Sequence, residues 1–298
     1  MIGAFVSAPP PDRRVIVDPA LLPYRDRACL RILYRADVAT TAQLVTLVYH
    51  RRQTAQERLA AMHAIGLLDR AVLAPISRGG APLAFRVSAK ARRRLGYDPL
   101  TRSRAGTQLR HSLNVVETVC ALIRADRGDF SGPLVHAWLT EPMATDLLPH
   151  TYPDSVVALQ APAGSGVLCL EIDEGTEHGP DIRDKLARYA HGFQSRTGWH
   201  VVFVAGSRER VDFLARVAKR NDGYPGLRGR GWALVLGELR AHGLSAIAVP
   251  LHVGGQRMSV ATLLTDPRPR VCPTPVATDD WLRILGYGGG EEIDEALR

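Results

Sequence analysis

The chain has 298 residues, 46% hydrophobic and 23% charged, with a formal net charge of +8. That composition suits a globular protein with one large or two modest domains. No run approaches the roughly 18 apolar residues of a membrane span, and Met1 to Pro23 lacks the basic head and apolar core of a signal peptide. The four cysteines, Cys29, Cys120, Cys169 and Cys272, lie far apart without metal-ligand spacing. Buried thiols and a reducing, cytoplasmic setting are expected.

The charge is unevenly spread. Residues 1–110 hold 19 Lys and Arg against 7 acids, and residues 111–298 hold 19 against 23. An Arg-rich composition accounts for arginine over lysine, since Lys90, Lys185 and Lys219 are the only lysines. It does not account for the shortage of acids in the first third. A basic end of this kind points to a polyanion, with nucleic acid the leading candidate.

In chain order, residues 1–22 read as a flexible arm and Arg25 to Ala36 as a helix. Thr40-Thr41-Ala42-Gln43 is a capping-box pattern opening a short helix through Leu44, Leu47 and Val48. After the turn His50 to Gln53, Thr54-Ala55-Gln56-Glu57 is a second such pattern. It opens a helix with Leu59, Met62 and Ile65 inward, ending at Gly66. Two capped helices on a short turn make a helix-turn-helix. Strands at Leu67 to Ala74 and Leu83 to Ser88, flanking Ser77 to Pro82, supply the wing of a winged helix spanning 23–96. The helix from Thr54 would be the recognition helix, with Arg51, Arg52, Gln53 and Gln56 near its leading end and Arg78 at the wing tip placed to reach a phosphate. Such a domain is expected to bind double-stranded DNA, as a two-fold homodimer on paired half-sites.

Ser88 to Leu95 reads as a basic helix and Gly96 to Gly106 as a domain boundary. A second domain, 107–264, opens on a helix from Leu109 to Arg124 with Leu113, Val116, Cys120 and Ile123 on one stripe. Strands follow at Leu134 to Leu139, Asp154 to Gln160 and Val167 to Asp173. Then come a helix (Asp181 to Gln194), a strand (His200 to Ala205), a helix (Arg208 to Arg220) and a strand (Trp232 to Leu236). Further strands are expected within Gly243 to Leu251 and Arg257 to Leu264, a short helix at Asp279 to Leu282, and a flexible acidic tail over 265–298.

The chemistry gathers between residues 152 and 189. Ala161 to Gly166 is turn chemistry, and a symmetric hairpin about it pairs Gln160 with Val167 and therefore Asp154 with Asp173. Glu171 and Asp173 share one face of their strand, so three carboxylates converge. Acids at cross-strand spacing, roughly 4.5–5.5 Å, repel unless a cation or a shared proton intervenes. Mg²⁺ or Mn²⁺ held by Asp154, Glu171 and Asp173 meets that need, and a solvated strand edge is the ordinary alternative. Lys185 would bring a positive charge from the following helix. Otherwise it forms an exposed pair with Asp181 four residues earlier or packs its stem on the helix stripe.

Helix, three strands, helix, strand, with Pro153-Asp154 opening one strand and Glu171 on the next, resembles the PD-(D/E)xK nuclease superfamily. In that likeness Asp173 stands where the superfamily has lysine, and Lys185 would take over its part. Residues 27 to 220 as a whole resemble the replication-relaxation family. The likeness rests on Gly66-Leu67-Leu68, His111, Trp138 with Glu141, Pro153-Asp154, and Glu171-Ile172-Asp173-Glu174-Gly175-Thr176-Glu177 followed by Lys185 and Tyr189. It implies an α/β (α+β) protein, a winged helix joined to a nuclease-like mixed sheet flanked by helices, with a DNA-associated role in plasmid or mobile-element replication or transfer. His111 has no evident task beyond its helix. Two functions stay open: a metal-dependent endodeoxyribonuclease with Asp154, Glu171, Asp173 and Lys185 catalytic, or a non-catalytic DNA-binding regulator on a degenerate nuclease-like scaffold.

Overall fold

A computed structural model describes Phe5 and residues 22–73, 81–94, 106–126, 134–140, 144, 148, 150–161, 164–194, 198–220 and 224–264. The arm expected over 1–22 falls, apart from Phe5 and Leu22, outside the described residues. So do Arg78, Glu141, the helix at 279–282 and the tail over 265–298. The chain forms two compact units, one ending at Cys120 and one beginning at Ala121, and its class is mixed α/β.

The N-terminal unit starts with α1 (Tyr24–Ala36), β1 (Ala39–Thr40) and α2 (Thr41–Leu44). The first capping box forms as expected: Gln43 N–H donates to Thr40 Oγ1 at 3.3 Å and Thr40 N–H donates to Gln43 Oε1 at 2.9 Å. The same side chain donates through Nε2 to Leu113 O and Glu117 Oε2, so the cap glutamine also ties this turn to the helix α5 (Gly106–Asp126). Val45 to Tyr49 then widens into a π-helical turn, closed by His50 at φ 60°.

Helix α3 runs Arg52–Ala64. The second capping box does not form, because the helix begins two residues before Thr54 with Arg51 at the cap. Thr54 and Gln56 lie within its first turns, and Gln53 Nε2 donates to Glu57 Oε1 at 3.0 Å. Gly66, at φ +79°, takes the left-handed turn that ends this stretch. Strands β2 (Leu68–Val72) and β3 (Leu83–Val87) pair antiparallel, Leu68 with Val87, and β1 joins the far side of β3 to give the order β1-β3-β2. Leu33, Leu44, Leu59, Met62 and Leu68 are fully buried between these elements. Helix α4 (Ala89–Arg94) follows.

The second unit is built on a seven-stranded sheet in the order β10-β9-β8-β7-β6-β5-β4. Strands β4 (Leu134–Thr140), β5 (Ser155–Ala161) and β6 (Gly164–Asp173) form an antiparallel meander. Helix α6 (Gly179–Gly192) crosses to β7 (Trp199–Ala205), and α7 (Arg208–Lys219) crosses to β8 (Gly231–Val235). Both connections join parallel neighbours. Ile182, Leu186 and Tyr189 of α6, and Phe193 just after it, pack with Val211, Leu214 and Ala218 of α7 against Cys169, Val201 and Phe203 of the sheet.

Two elements differ from the sequence expectation beyond β8. Leu236–His242 is helix α8, and the stretch expected as a strand at Arg257 to Leu264 divides into β10 (Met258–Ser259) and helix α9 (Val260–Leu264). Strand β9 (Ile247–Pro250) joins them to the sheet, antiparallel to β8.

The β5–β6 register also departs from the symmetric hairpin. Pairing continues outward to Ala161 with Gly164, so Gln160 faces Ser165 and Ser155 faces Leu170. The glycines that read as turn residues belong to the strand. At Gly166 a Cβ would come within 3.2 Å of Leu264 Cδ2, so this glycine makes room for α9. The slip is two residues. It keeps every side chain on its face but carries the carboxylate opposite Asp154 from Asp173 to Glu171.

Candidate functional site

Asp154 stands just before β5, and its Oδ2 accepts the N–H of Ile172 at 2.7 Å. That bond fixes the start of β5 against the end of β6, where Glu171 points toward α6. Glu171 is 2% exposed. Its Oε1 accepts the Tyr189 hydroxyl at 2.5 Å, and its Oε2 lies 2.7 Å from Lys185 Nζ. Tyr189 and Lys185 are four residues apart on α6, which puts both on the helix face above β6. Lys185 Nζ also donates to Glu177 Oε1 at 2.8 Å. The pairing with Asp181 does not occur: that carboxylate accepts the His178 N–H at the start of α6.

Burial and then the nearby Asp154 charge push the Glu171 carboxyl up to about 7, against the lowering pull of Lys185 and Tyr189. Burial alone would lower the Lys185 ammonium, but Glu171 and Glu177 outweigh it and leave it above its ordinary value. The Tyr189 phenol is raised by burial and by the Glu171 charge. Glu171 is thus a carboxyl able to hold or release a proton near neutral pH, beside a fixed cation and a second carboxylate.

Asp173 belongs to a different arrangement. Both its oxygens are held by Arg210, Nε to Oδ1 at 2.8 Å and Nη2 to Oδ2 at 3.0 Å. The same guanidinium donates to Glu177 O at 2.7 Å, and Gly175 N–H donates to Asp173 Oδ1 at 2.6 Å. Arg210 therefore braces the loop that delivers Glu177 to Lys185. Of the four acidic-site residues expected from sequence, Asp154, Glu171 and Lys185 come together, and Asp173 is taken up by the brace. Among the described residues, no group of three or more His, Cys, Asp or Glu side chains is disposed to hold a metal ion.

Tyr189 and Glu177 were visible in the sequence only as parts of a motif. Arg210 carried no signal there. Parallel pairing sets Asp173 beside Ala205, so the first turn of α7 after β7 reaches Asp173, and that follows only from the sheet order.

In the N-terminal unit Arg51, Arg52, Gln53 and Gln56 are all exposed at the leading end of α3. His111 is half-buried on α5. Trp138 is buried and donates from Nε1 to Ser155 Oγ at 2.7 Å, holding β4 to the first residue of β5 beside Asp154.

Among the described residues no helix is long and apolar enough to cross a membrane. No curated protein and no solved structure matches the chain. The family model described as replication-relaxation matches residues 30–202, more than half of the chain, from within α1 into β7. That span holds the basic end of α3, Asp154, Glu171 and Lys185 in one continuous match, so the chain belongs to the replication-relaxation family.

Proposed function

We propose that this protein binds duplex DNA through residues 23–96 and acts on a phosphodiester of that DNA at Asp154, Glu171 and Lys185. The observation that carries the reading is the buried Glu171, 2.7 Å from Lys185 and close enough to Asp154 to be raised by its charge. Two carboxylates and one lysine at the strand ends of a mixed sheet are the side chains that the PD-(D/E)xK resemblance calls for, with the lysine moved onto the following helix.

The donor set suits a hard divalent cation at two ligands, Asp154 and Glu171. Mg²⁺ commonly takes one or two carboxylates and leaves its other positions to water and phosphate. Asp173 would not be a ligand, because Arg210 occupies both its oxygens. Bound there, Mg²⁺ or Mn²⁺ would stabilise charge on a phosphate oxygen and acidify a water. The chain's own contribution is to fix the carboxylates through Ile172 N–H and Tyr189 OH, and to hold the Lys185 ammonium where a phosphate oxygen gathers charge. Glu171 can take the proton that an attacking water gives up.

DNA binding is supported by the exposed Arg51, Arg52, Gln53 and Gln56 at the start of α3. The order α1, β1, α2, α3, β2, β3 with a three-stranded sheet also fits a winged helix that lays α3 in the major groove. A two-fold dimer on paired half-sites belongs to the same reading.

The second reading is a DNA-binding replication factor that no longer cuts. It is favoured by one observation: Lys185 and Arg210 already neutralise Glu171 and Asp173 within the protein. One experiment separates the two. Purified full-length protein should convert supercoiled plasmid to open circles only with Mg²⁺ or Mn²⁺, and Asp154→Ala and Lys185→Met should lose at least about a hundredfold in rate. Variants that nick as well as the parent would remove the site from the chemistry. Salt-sensitive binding without nicking in any metal would establish the non-cutting factor.

A further inference from the structure

Residues 111–298 carry more acids than bases, yet one groove in the second unit runs against that balance. Asp212, Ala215, Arg216 and Lys219 form one face of α7, following the three- and four-residue spacing of a helix. Across from them lie Val249 and Pro250 of β9, with Gly255 and Arg257 of the loop before β10. The groove between has a volume of about 340 Å³, at the small end of ligand-sized clefts. Its floor is Ala215, Val249, Pro250 and Gly255. Its rim is three exposed cations, Arg216, Lys219 and Arg257, with one exposed carboxylate, Asp212.

Basic residues near the end of a helix complement its dipole without any ligand, and that accounts for Arg216 and Lys219 by themselves. It does not account for Arg257, which comes from a separate loop. That loop folds back tightly enough that a Cβ on Gly255 would stand 2.6 Å from Pro250 Cβ and 2.5 Å from His252 Nε2. The turn brings Arg257 to the two helix cations. Burial, then the charges of Arg228 and Lys219, lower the His252 imidazole, so the positive field extends past the groove. Arg220 and Arg228 are exposed as well.

We propose that this groove between α7 and β9 is a second nucleic-acid contact, holding backbone phosphates through Arg216, Lys219 and Arg257. Among the described residues the lining holds no aromatic ring for a base to stack on, and recognition is of the phosphodiester chain regardless of sequence. The site is separate from the acidic one. Arg216 and Lys219 stand six and nine residues after Arg210 on α7, roughly 9–14 Å along the axis, so a strand seated here is held some nucleotides away from Glu171. The groove also lies beyond residues 30–202, outside the span matched by the family.

The test uses full-length protein carrying Arg51→Ala and Arg52→Ala, so that a failure of the winged-helix reading and a failure of this one are separable. Binding of a fluorescein-labelled duplex of arbitrary sequence is followed by anisotropy across a salt series. Adding Arg216→Ala, Lys219→Ala and Arg257→Ala should weaken binding about tenfold and flatten the log–log salt slope by about 2 to 3, close to one for each phosphate that the protein no longer neutralises. Asp212→Asn, which removes the negative charge that Asp212 places on the rim, should tighten binding about two- to threefold. A role in folding alone cannot produce that opposite sign. An unchanged slope in the triple variant, or an Asp212→Asn protein that binds no better, overturns the proposal. So does saturable binding of inorganic phosphate that the triple variant loses while its duplex affinity stays the same, for that describes a small-anion site.

Discussion

Asp26 in the N-terminal unit and Glu171 in the second unit are both buried carboxylates, each accepting a tyrosine hydroxyl and each facing one long cation. Asp26 takes the Tyr49 hydroxyl at 3.1 Å and Arg58 Nε at 3.0 Å, with a second guanidinium nitrogen of Arg58 on the same oxygen. Glu171 takes the Tyr189 hydroxyl at 2.5 Å and lies 2.7 Å from Lys185. The two differ in what surrounds them. Asp26 and Arg58 balance one to one, and the buried Cys29 thiol next to them is pushed up to about 12, by burial first. Lys185 is shared by two carboxylates, Glu171 at 2.7 Å and Glu177 at 2.8 Å, and the charge of Asp154 also bears on Glu171. A neutral pair inside a fold is explained by the fold. Carboxylates that outnumber their cation cost stability, and that imbalance sets the second cluster apart from the first.

The largest expected effect follows from the burial of Glu171 beside Asp154. The Glu171 carboxyl rises from 4.5 to about 7 on folding, so between those values the folded chain holds a proton that the unfolded chain has released. Stability therefore falls as pH rises through that window and levels off above it. Glu171→Gln removes the titration. Urea unfolding of parent and variant across the window should show the parent losing ground on the variant by up to about 3 kcal/mol. A constant difference at all pH values would mean that folding does not raise the Glu171 carboxyl, by burial or by the Asp154 charge.

Next in size is the structural pair. Asp26→Ala strips Tyr49 and Arg58 of their shared acceptor. Breaking a fully buried pair costs about 3–5 kcal/mol. The Arg58 side chain is 39% exposed and can rehydrate, so about 2–3 kcal/mol is expected. Unfolding monitored in the N-terminal unit measures it. A loss below about 1 kcal/mol would place this pair with surface ion pairs.

Much of the second cluster was legible from the sequence, because period-two alternation put Glu171 and Asp173 on one strand face whatever the register. What alternation cannot supply is the partner, since a two-residue slip preserves faces while exchanging Asp173 for Glu171 opposite Asp154. The Gly164-Ser165-Gly166 run concealed that slip by looking like a turn, although Gly166 is small on account of Leu264. The N-terminal unit was legible in its helices and its hairpin. The start of α3 was not, because a capping-box pattern at Thr54 competes with helix propagation from Arg52, and tertiary packing of Ala55 and Leu59 decided it. Helices α8 and α9 are seven and five residues long, too short for a helical period to outweigh their apolar content.

The smallest effect comes from a matched pair of substitutions, Tyr49→Phe and Tyr189→Phe, each removing one hydroxyl from a buried carboxylate. Asp26 keeps both bonds from Arg58, so Tyr49→Phe should cost about 1 kcal/mol, as for one lost hydrogen bond. Tyr189 stabilises the ionised form of Glu171, and its hydroxyl is among the groups that hold the carboxyl down against burial. Tyr189→Phe should therefore raise that carboxyl further and extend the pH range over which stability is lost. The cost should be a few tenths of a kcal/mol near pH 6, where Glu171 is largely protonated, and about 1 kcal/mol near pH 8, where the parent is ionised. Urea unfolding of the two variants at both pH values measures it. A Tyr189→Phe cost that does not grow with pH would mean that the hydroxyl serves packing alone, and that Glu171 is held as statically as Asp26.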